Sequence, residues 1–240
     1  MSTNILILAA GQVAWENQAG DYPLCITEMD GISIIERIVN NTSSITDSHY
    51  CFAILKRDAE RFHLDRVVSL LSPGCKVVRI PESTKGSACT ALLAAVQLPP
   101  ENDLLIISAN ELIDINVSDV ILDFKRRQLD GGTLVFRSVH PRYSYVRLND
   151  DGMAVEFAQQ FQISKNATTG VFWFKKTEDF VESAKANIRK SAVVDGKFFV
   201  APTFNEIILK QKRIGVFELE LNKYHPLKTE RQIQTFEQGI

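Results

Sequence analysis

Apolar runs alternate with amphipathic segments along the first part of the chain. The runs are rich in β-branched and aliphatic residues and predict buried strands at Asn4 to Ala9, Tyr50 to Leu55, Lys76 to Ile80 and Leu104 to Ser108. The intervening patterns predict helices at Ser33 to Asn40, Ala59 to Leu71 and Ala88 to Leu98. The resulting βαβαβαβ order is typical of a mostly parallel sheet that helices cover on both faces.

The later part of the chain is richer in strands. A helix near Ser118 to Leu129 leads into a predicted turn at Asp130-Gly131-Gly132. The patterns beyond it predict strands at Thr133 to Ser138, Tyr143 to Leu148, Val155 to Gln159, Gly170 to Lys175 and Ile214 to Leu221, and helices at Thr177 to Lys190, Phe204 to Lys210 and Glu230 to Gln238. No linker, repeat or low-complexity stretch interrupts the sequence, so we predict one α/β domain over residues 1–240, with halves at 1–130 and 131–240.

Composition and charge narrow the partners of the chain. Its 240 residues carry 27 basic and 29 acidic side chains, which gives a formal charge of -2. No global field therefore attracts a polyanion, and we expect no nucleic-acid partner. The longest early apolar run, Ile5 to Ala10, is too short to span a bilayer, and the four cysteines are widely spaced. We expect a cytoplasmic protein that does not insert into membranes.

The loop after the first strand is the first candidate for ligand binding. In an open α/β sheet, ligands bind beyond the carboxyl ends of the strands. At this point the sequence reads Ala9-Ala10-Gly11-Gln12, and small residues with a glycine let the backbone approach a ligand. Exposed amides there can hold phosphate oxygens. The alternative interpretation is an ordinary tight turn.

A second candidate loop precedes the alanine-rich helix. It combines small residues with a cation and a glycine, at Thr84, Lys85, Gly86 and Ala88. The free amides and the positive dipole end of a helix suit an anion or the polar edge of a base. A plain capped helix, with no ligand, is the alternative.

A third candidate loop follows the apolar strand that ends at Ser108. It brings Asn110 and Glu111 to the carboxyl edge of the sheet, with Asp114 just beyond. A carboxylate at this edge is suited to hold magnesium beside a triphosphate. An acidic residue after a strand is also common in ordinary helix capping, which is the alternative.

The fourth candidate loop places an imidazole, a guanidinium and two phenols in one short connection. His140, Arg142, Tyr143 and Tyr145 supply them. The guanidinium can bind a phosphate or carboxylate with two hydrogen bonds, and the rings can flank a substrate. The alternative is that the tyrosines are half-buried strand residues and that His140 is a solvated turn residue.

Motifs in a fixed order link these loops to a known family. The segments read NILILAAGQ, YPLCITEMDGISIIERIV, TKGSACTALLAA, LLIISANELID, SVHPRYSYV, ISKNATTGVFWFKK, APTFNEIIL and YHPLKTERQIQTFE. Over nearly its whole length the chain resembles bacterial sugar-nucleotidyltransferase-like proteins of capsule and lipopolysaccharide gene clusters. The resemblance implies a single Rossmann-like domain of the glycosyltransferase-A type, with a mostly parallel mixed sheet flanked by helices.

The resemblance also implies a division of labour and a reaction. Residues 1–130 would form the nucleotide-binding half, and the β-rich residues 131–240 the acceptor-binding half. The acceptor pocket would be lined by His140, Arg142, Tyr143, Asn166, Thr169, Gly170, Asn205 and Glu206. The implied reaction transfers a nucleotidyl group from a nucleoside triphosphate, with a mild preference for CTP, to a phosphorylated sugar or small metabolite. Pyrophosphate is released, and the product would serve surface-polysaccharide biosynthesis.

The chain departs from the family pattern at five points. The family's arginine-containing G-x-G-x-R loop is replaced by Gly11-Gln12-Val13-Ala14-Trp15, and Leu24 stands where a phosphate-binding lysine is usual. Asn110 and Pro226 stand at the two positions where the family has metal-binding aspartates, and an E-K-P-like segment has become Gln159-Gln160-Phe161-Gln162. Because phosphoryl transfer depends on positioning and charge neutralisation, these departures remove important stabilising groups.

Two hypotheses follow. In the first, the chain is an active nucleotidyltransferase with Mg²⁺ as cofactor. Glu111, Lys85 and Arg142 would then be the catalytic residues, and Glu111, Asp114 and His225 the metal ligands. In the second, the chain is a non-catalytic homologue that binds a nucleotide or sugar nucleotide and acts as a partner or regulator in the same pathway. The sequence leaves open whether the protein forms a homodimer.

Overall fold

A computed structural model describes residues 2–11, 22–82, 84–227 and 229–237 of the chain. It contains a nine-stranded mixed sheet and two separate two-stranded sheets. Helices flank the large sheet, so the predicted α/β class with a mixed central sheet is confirmed. No helix among these residues is long and apolar enough to cross a membrane.

The elements are numbered in chain order. The strands are β1 (Thr3–Ala9), β2 (Glu28–Met29), β3 (Ile32–Ser33), β4 (Ser48–Leu55), β5 (Lys76–Ile80), β6 (Asp103–Ser108), β7 (Glu111–Ile113), β8 (Gly131–Arg137), β9 (Ser144–Leu148), β10 (Ala154–Gln159), β11 (Asn166–Phe174), β12 (Ile214–Glu218) and β13 (Tyr224–Pro226). The α-helices are α1 (Ile34–Thr42), α2 (Lys56–Phe62), α3 (Leu64–Leu71), α4 (Ser87–Ala95), α5 (Val117–Arg126), α6 (Thr177–Arg189), α7 (Thr203–Leu209) and α8 (Glu230–Glu237). Short 3₁₀ helices span Leu24–Ile26 and Leu221–Lys223.

The large sheet joins strands from both predicted halves of the chain. Its main path runs β10-β9-β11-β6-β1-β4-β5, and β8 pairs with both β11 and β12. The four strands β5, β4, β1 and β6 are parallel, whereas β11 runs antiparallel to β6. Leu8 of β1 lies opposite Ser108 of β6, so the loops that follow these two strands emerge side by side.

Both faces of the large sheet are buried, which explains the continuous apolar runs in the sequence. In β1, Ile5 and Ile7 belong to a cluster that includes side chains of α1, α3 and α5. Leu6 and Leu8 belong to a second cluster that includes side chains of α4, α6 and α7. Alternate residues of a strand point to opposite faces, so a strand with apolar residues at every position packs against both helix layers.

Two local predictions were wrong. The helix predicted at Ala59 to Leu71 is two helices, because His63 adopts a left-handed conformation with φ 52° and ends α2. In the turn predicted at Asp130-Gly131-Gly132, the two glycines are instead the first residues of β8. A Cβ on Gly132 would lie 2.7 Å from the ring of Phe124, so the glycine lets a large aromatic side chain pack directly on the strand.

Other elements begin earlier than predicted or were not predicted. Strand β11 begins at Asn166 rather than at Gly170, which places Thr169 in a buried part of the sheet. The small sheet formed by β7 and β13 was not predicted. It pairs Tyr224 with Ile113 and Pro226 with Glu111, and it brings the end of the chain beside the third candidate loop.

Candidate functional site

The loops after β1 and β6 enclose a cavity of about 320 Å³, named the first cleft. Its lining includes six residues that the sequence predicted for a nucleotide site: Ala9, Ala10, Gly11, Thr84, Gly86 and Asn110. Gln12 lies outside the described residues. Residues of the first three candidate loops therefore surround one cavity beyond the carboxyl ends of parallel strands.

Two other predicted nucleotide-binding residues, Lys85 and Ala88, are not part of the lining. Ala88 is buried, and its amide donates a 3.1 Å hydrogen bond to the carbonyl of Phe198. The Lys85 side chain is exposed and lies near the thiol of Cys89. Burial raises the pKa of that thiol, and the Lys85 cation partly offsets the effect. The Lys85 cation is therefore close to Cys89 and outside the described lining of the first cleft.

A second cavity of about 310 Å³, the second cleft, adjoins the first. The two clefts share Ser87, Ser108, Asn110 and Phe199 as lining residues. Four predicted acceptor residues line the second cleft, namely Arg142, Tyr143, Thr169 and Gly170. The structure thus brings all four candidate loops together at one edge of the sheet.

The remaining predicted acceptor residues have other roles. Asn205 forms two 2.8 Å hydrogen bonds to the backbone of Phe157 and so fixes α7 to β10. Glu206 pairs with the ammonium of Lys190 at 2.8 Å. The backbone amide of Asn166, at the start of β11, donates a 2.9 Å hydrogen bond to the hydroxyl of Ser164. None of these predicted residues is among the described lining of either cleft.

The fourth candidate loop divides between site and core. Tyr145 is fully buried and donates a 2.7 Å hydrogen bond to the carbonyl of His140, so it is a structural residue. His140 is exposed, and its Nδ1 atom lies 3.3 Å from the Arg142 Nε atom. The Arg142 guanidinium also lies 5.7 Å from the centre of the Tyr143 ring. These contacts hold the Arg142 guanidinium at the rim of the second cleft.

The carboxylate of Glu111 is buried in the two-stranded sheet of β7 and β13, named the β7–β13 ribbon, and outside the first and second clefts. Its side chain accepts a 3.0 Å hydrogen bond from the Tyr224 hydroxyl and a second one from the Gly170 amide. Glu111 is 2% exposed, and it does not line either cleft. Burial and the nearby Glu111 charge raise the pKa of Tyr224 well above its usual range. Tyr224 therefore remains a neutral donor to this carboxylate.

The other two predicted metal ligands bind each other. Asp114 is exposed, and its Oδ2 atom lies 2.8 Å from the Nε2 atom of His225. Among the described residues, no three histidine, cysteine, aspartate or glutamate side chains are arranged to hold a metal ion. The predicted set of Glu111, Asp114 and His225 is therefore not assembled at the clefts.

The two positions where the resemblance places metal-binding aspartates do lie side by side. The Leu227 amide donates a 2.8 Å hydrogen bond to the Asn110 carbonyl, and Pro226 pairs with Glu111 across the ribbon. Asn110 offers one neutral amide oxygen, which is buried and has no hydrogen-bond partner in the described part of the chain, and Pro226 has no side-chain ligand atom. Hard divalent cations need several oxygen ligands, usually including carboxylates. The described residues do not fit a magnesium ion.

Lys197 and Phe199 were missed in the sequence, although both line the first cleft. They belong to residues 194–199, named the strap, which lie against the start of α4. The strap contains an Asp195-Gly196 pair, and this dipeptide is a strong signal for a two-residue hairpin turn. That turn signal was the clue in the sequence, but nothing in the local pattern indicates that the strap reaches the loop after β1.

No protein-family model matches the chain, and no curated protein matches it. Solved structures do match. A nucleoside-diphosphate-sugar pyrophosphorylase from Vibrio cholerae RC9 superimposes with a TM-score of 0.78 and 17% identity, over 97% of this chain and 99% of that one. UDP-glucose pyrophosphorylase complexed with UDP-glucose gives 0.73 and 12%, over 99% and 98%. The inositol-1-phosphate CTP transferase from T. maritima gives 0.73 and 13%, over 98% and 94%. The chain has the fold of these proteins over nearly its whole length.

Proposed function

We propose that the protein binds a nucleotide in the first cleft and a phosphorylated sugar or small metabolite in the second, and that its reaction is nucleotidyl transfer. The observation that carries this proposal is the continuity of the two clefts through Ser87, Ser108, Asn110 and Phe199. Transfer between two substrates needs adjoining sites that hold the reacting groups close together. The proteins that share the fold are named for pyrophosphorylase and CTP transferase activities, which supports the same class.

The residues of the chain suggest how the substrates would be held. The backbone of Ala9, Ala10 and Gly11 would hold phosphate oxygens of a nucleoside triphosphate, for which CTP is the expected preference. Arg142 would bind the acceptor phosphate through its guanidinium. The acceptor phosphate would attack the α-phosphorus, and pyrophosphate would leave. The product would be an activated sugar or metabolite for surface-polysaccharide synthesis.

A second candidate function is binding without catalysis, as a partner or regulator in the same pathway. The specific observation that favours it is the neutral pair formed by Asn110 and Pro226 beside the first cleft. Without carboxylates at these positions, the charge that develops during phosphoryl transfer has less stabilisation. Binding of a nucleotide sugar does not require that stabilisation.

A pyrophosphate-release assay distinguishes the two functions. Purified protein is incubated with each nucleoside triphosphate and a panel of sugar phosphates, with and without Mg²⁺. Nucleotidyl transfer predicts turnover with at least one pair, and Arg142→Ala is expected to lower kcat/KM by about 10- to 100-fold, because a charge-assisted hydrogen bond is lost. Arg147→Ala is the matched control, since Arg147 pairs with Glu156 and lines neither cleft.

The outcomes of this assay decide between the candidates. Turnover that falls in Arg142→Ala and persists in Arg147→Ala supports transfer through the second cleft. No turnover with any pair, combined with nucleotide-sugar binding in calorimetry, supports the non-catalytic candidate. A protein that neither turns over nor binds any nucleotide contradicts both, because fold alone does not fix function.

A further inference from the structure

The strap is closed at one end by its own turn. Val194 and Lys197 exchange two backbone hydrogen bonds of 3.0 Å. The two residues between them, Asp195 and Gly196, have positive φ angles of 48° and 72°. Two central residues of this kind form a type I′ turn, for which Asp-Gly is a preferred pair. The backbone of Lys197 is therefore held by the turn that precedes it.

The other end of the strap is fixed to the loop before α4. The Phe198 amide donates a 2.8 Å hydrogen bond to the Lys85 carbonyl, and the Phe198 carbonyl accepts one of 3.1 Å from Ala88. Gly86 permits this contact, because a Cβ there would lie 2.4 Å from the Phe198 carbonyl oxygen. The Phe198 side chain is buried, whereas Lys197 is exposed and lines the first cleft.

Lys197 is the one cationic residue among the described residues that line the first cleft. No ion pair or hydrogen bond engages its ammonium within that part of the chain. Residues 12–21, which the structure does not describe, contain no lysine or arginine in their sequence. Leu24, where the resemblance expects a phosphate-binding lysine, is a buried leucine. Among the described residues, Lys197 is therefore the cation available to a phosphate in the first cleft.

The charge of the two clefts limits the ligand that they suit. Their described lining holds two cations, Lys197 and Arg142, and one carboxylate, Glu82. In a nucleoside diphosphate sugar each of the two phosphates is a diester-like group with a single negative charge. The terminal phosphate of a triphosphate instead ionises a second time near pH 6, so it adds further charge at neutral pH. Two cations suit the first ligand better than the second.

We propose that Lys197 binds a phosphate of the nucleotide in the first cleft, and that the ligand it favours is a nucleoside diphosphate sugar over a free nucleoside triphosphate. The inference rests on the proposed function, since such a ligand is the product of nucleotidyl transfer to a sugar phosphate. A lysine binds phosphate as a compact point charge. The turn and the α4 loop fix the strap in advance, which reduces the ordering that binding requires.

Isothermal titration calorimetry without divalent metal tests the proposal. The probes are the five glucose conjugates of UDP, CDP, ADP, GDP and dTDP, the corresponding triphosphates and the corresponding nucleosides. The variants are Lys197→Ala, Lys197→Arg and the control Lys210→Ala, which removes an exposed lysine at the end of α7 outside both clefts. We expect Lys197→Ala to weaken diphosphate-sugar binding about 10- to 100-fold. Nucleoside binding should not change, and Lys197→Arg should retain most of the affinity.

Each outcome either supports or overturns a defined part of the proposal. If Lys197→Ala binds nucleotides as tightly as the wild-type protein, the role of Lys197 is overturned, while the proposed function stands. Wild-type protein that prefers a triphosphate to the diphosphate sugar of the same base overturns the ligand class. Wild-type protein that binds none of the probes overturns the proposed function itself, and this proposal with it.

Discussion

The two clefts and the β7–β13 ribbon are neighbours, yet their charged side chains have different surroundings. In the clefts, Lys197 is exposed and Arg142 is partly exposed at the rim, where each can meet a ligand. In the ribbon, Glu111 is buried and already accepts hydrogen bonds from Tyr224 and Gly170. A carboxylate that is adjacent in sequence to a cleft residue is therefore not necessarily a site residue. Its oxygen atoms can already accept hydrogen bonds from buried groups of the protein.

Removing the buried carboxylate is the strongest test of the difference between the ribbon and the clefts. We expect Glu111→Ala to lower the free energy of unfolding by about 3 kcal/mol, because the buried Tyr224 hydroxyl and Gly170 amide lose their acceptor. Urea denaturation measures this change. Glu111→Gln, which keeps one acceptor oxygen, should lose less. A stable Glu111→Ala protein with no turnover would instead make Glu111 a catalytic residue.

A substitution at Gly86 tests the cleft side of the comparison. Gly86 has φ 101° and ψ 175°, a region that is accessible almost only to glycine, so Gly86→Ala should destabilise the protein by about 1 to 3 kcal/mol. The added Cβ would also push the strap away from α4, and we expect nucleotide affinity in calorimetry to fall about tenfold.

The matched control for Gly86→Ala is Gly74→Ala. Gly74 also has positive φ, at 82°, but a Cβ there would meet nothing within 4 Å. Gly74→Ala should therefore lower the stability of the protein through backbone strain, with no change in nucleotide affinity. Equal affinity losses in both variants would show that the strap has no specific role in binding.

High pH probes the neutral donor in the ribbon. The pKa of Tyr224 is raised in the folded protein, so above about pH 10 the unfolded chain releases this proton while the folded protein keeps it. The stability that Tyr224 contributes is complete below that pH and is lost as the pH rises. The stability difference between wild type and Tyr224→Phe should therefore narrow by about 1.4 kcal/mol per pH unit. A constant difference from pH 9 to 11 would show that the two states share one Tyr224 pKa.

The smallest effect is expected at the exposed end of the ribbon. Asp114 pairs with His225, but 55% of its side chain is exposed. Exposed ion pairs contribute about 0 to 1 kcal/mol, so Asp114→Asn should change thermal stability little. Nucleotide affinity should also be unchanged. Loss of Mg²⁺-dependent turnover in this variant alone would restore Asp114 as a metal ligand and contradict the distinction between ribbon and clefts.

The sequence predicted the large sheet better than the small ribbon, for a physical reason. Strand β1 is buried on both faces and appears as a continuous apolar run, which is visible locally. Strands β7 and β13 have three residues each. They pair Leu112 with His225, which lies far along the chain. A pairing that distant leaves no periodic pattern in either segment.

The same difference applies to the candidate site. Small residues at Ala9, Ala10 and Gly11 predicted a cleft because the space around them depends on their own size and on the end of the strand that they follow. Glu111 could not be assigned from sequence, because its role depends on Tyr224. Lys197 could not be assigned either, because its position depends on backbone contacts between the strap and α4.

The bond between Tyr224 and Glu111 also has a consequence for synthesis of the chain. The two residues are separated by 113 positions, so the carboxylate is added to the growing chain long before its phenolic partner. At translation rates of about 5 to 20 residues per second, the interval is roughly 6 to 23 s. During that time the Glu111 carboxylate either remains hydrated or is buried without its Tyr224 donor, and the second alternative is unfavourable. The segment around Asn110, which lines both clefts, therefore reaches its final form only after Tyr224 has been made.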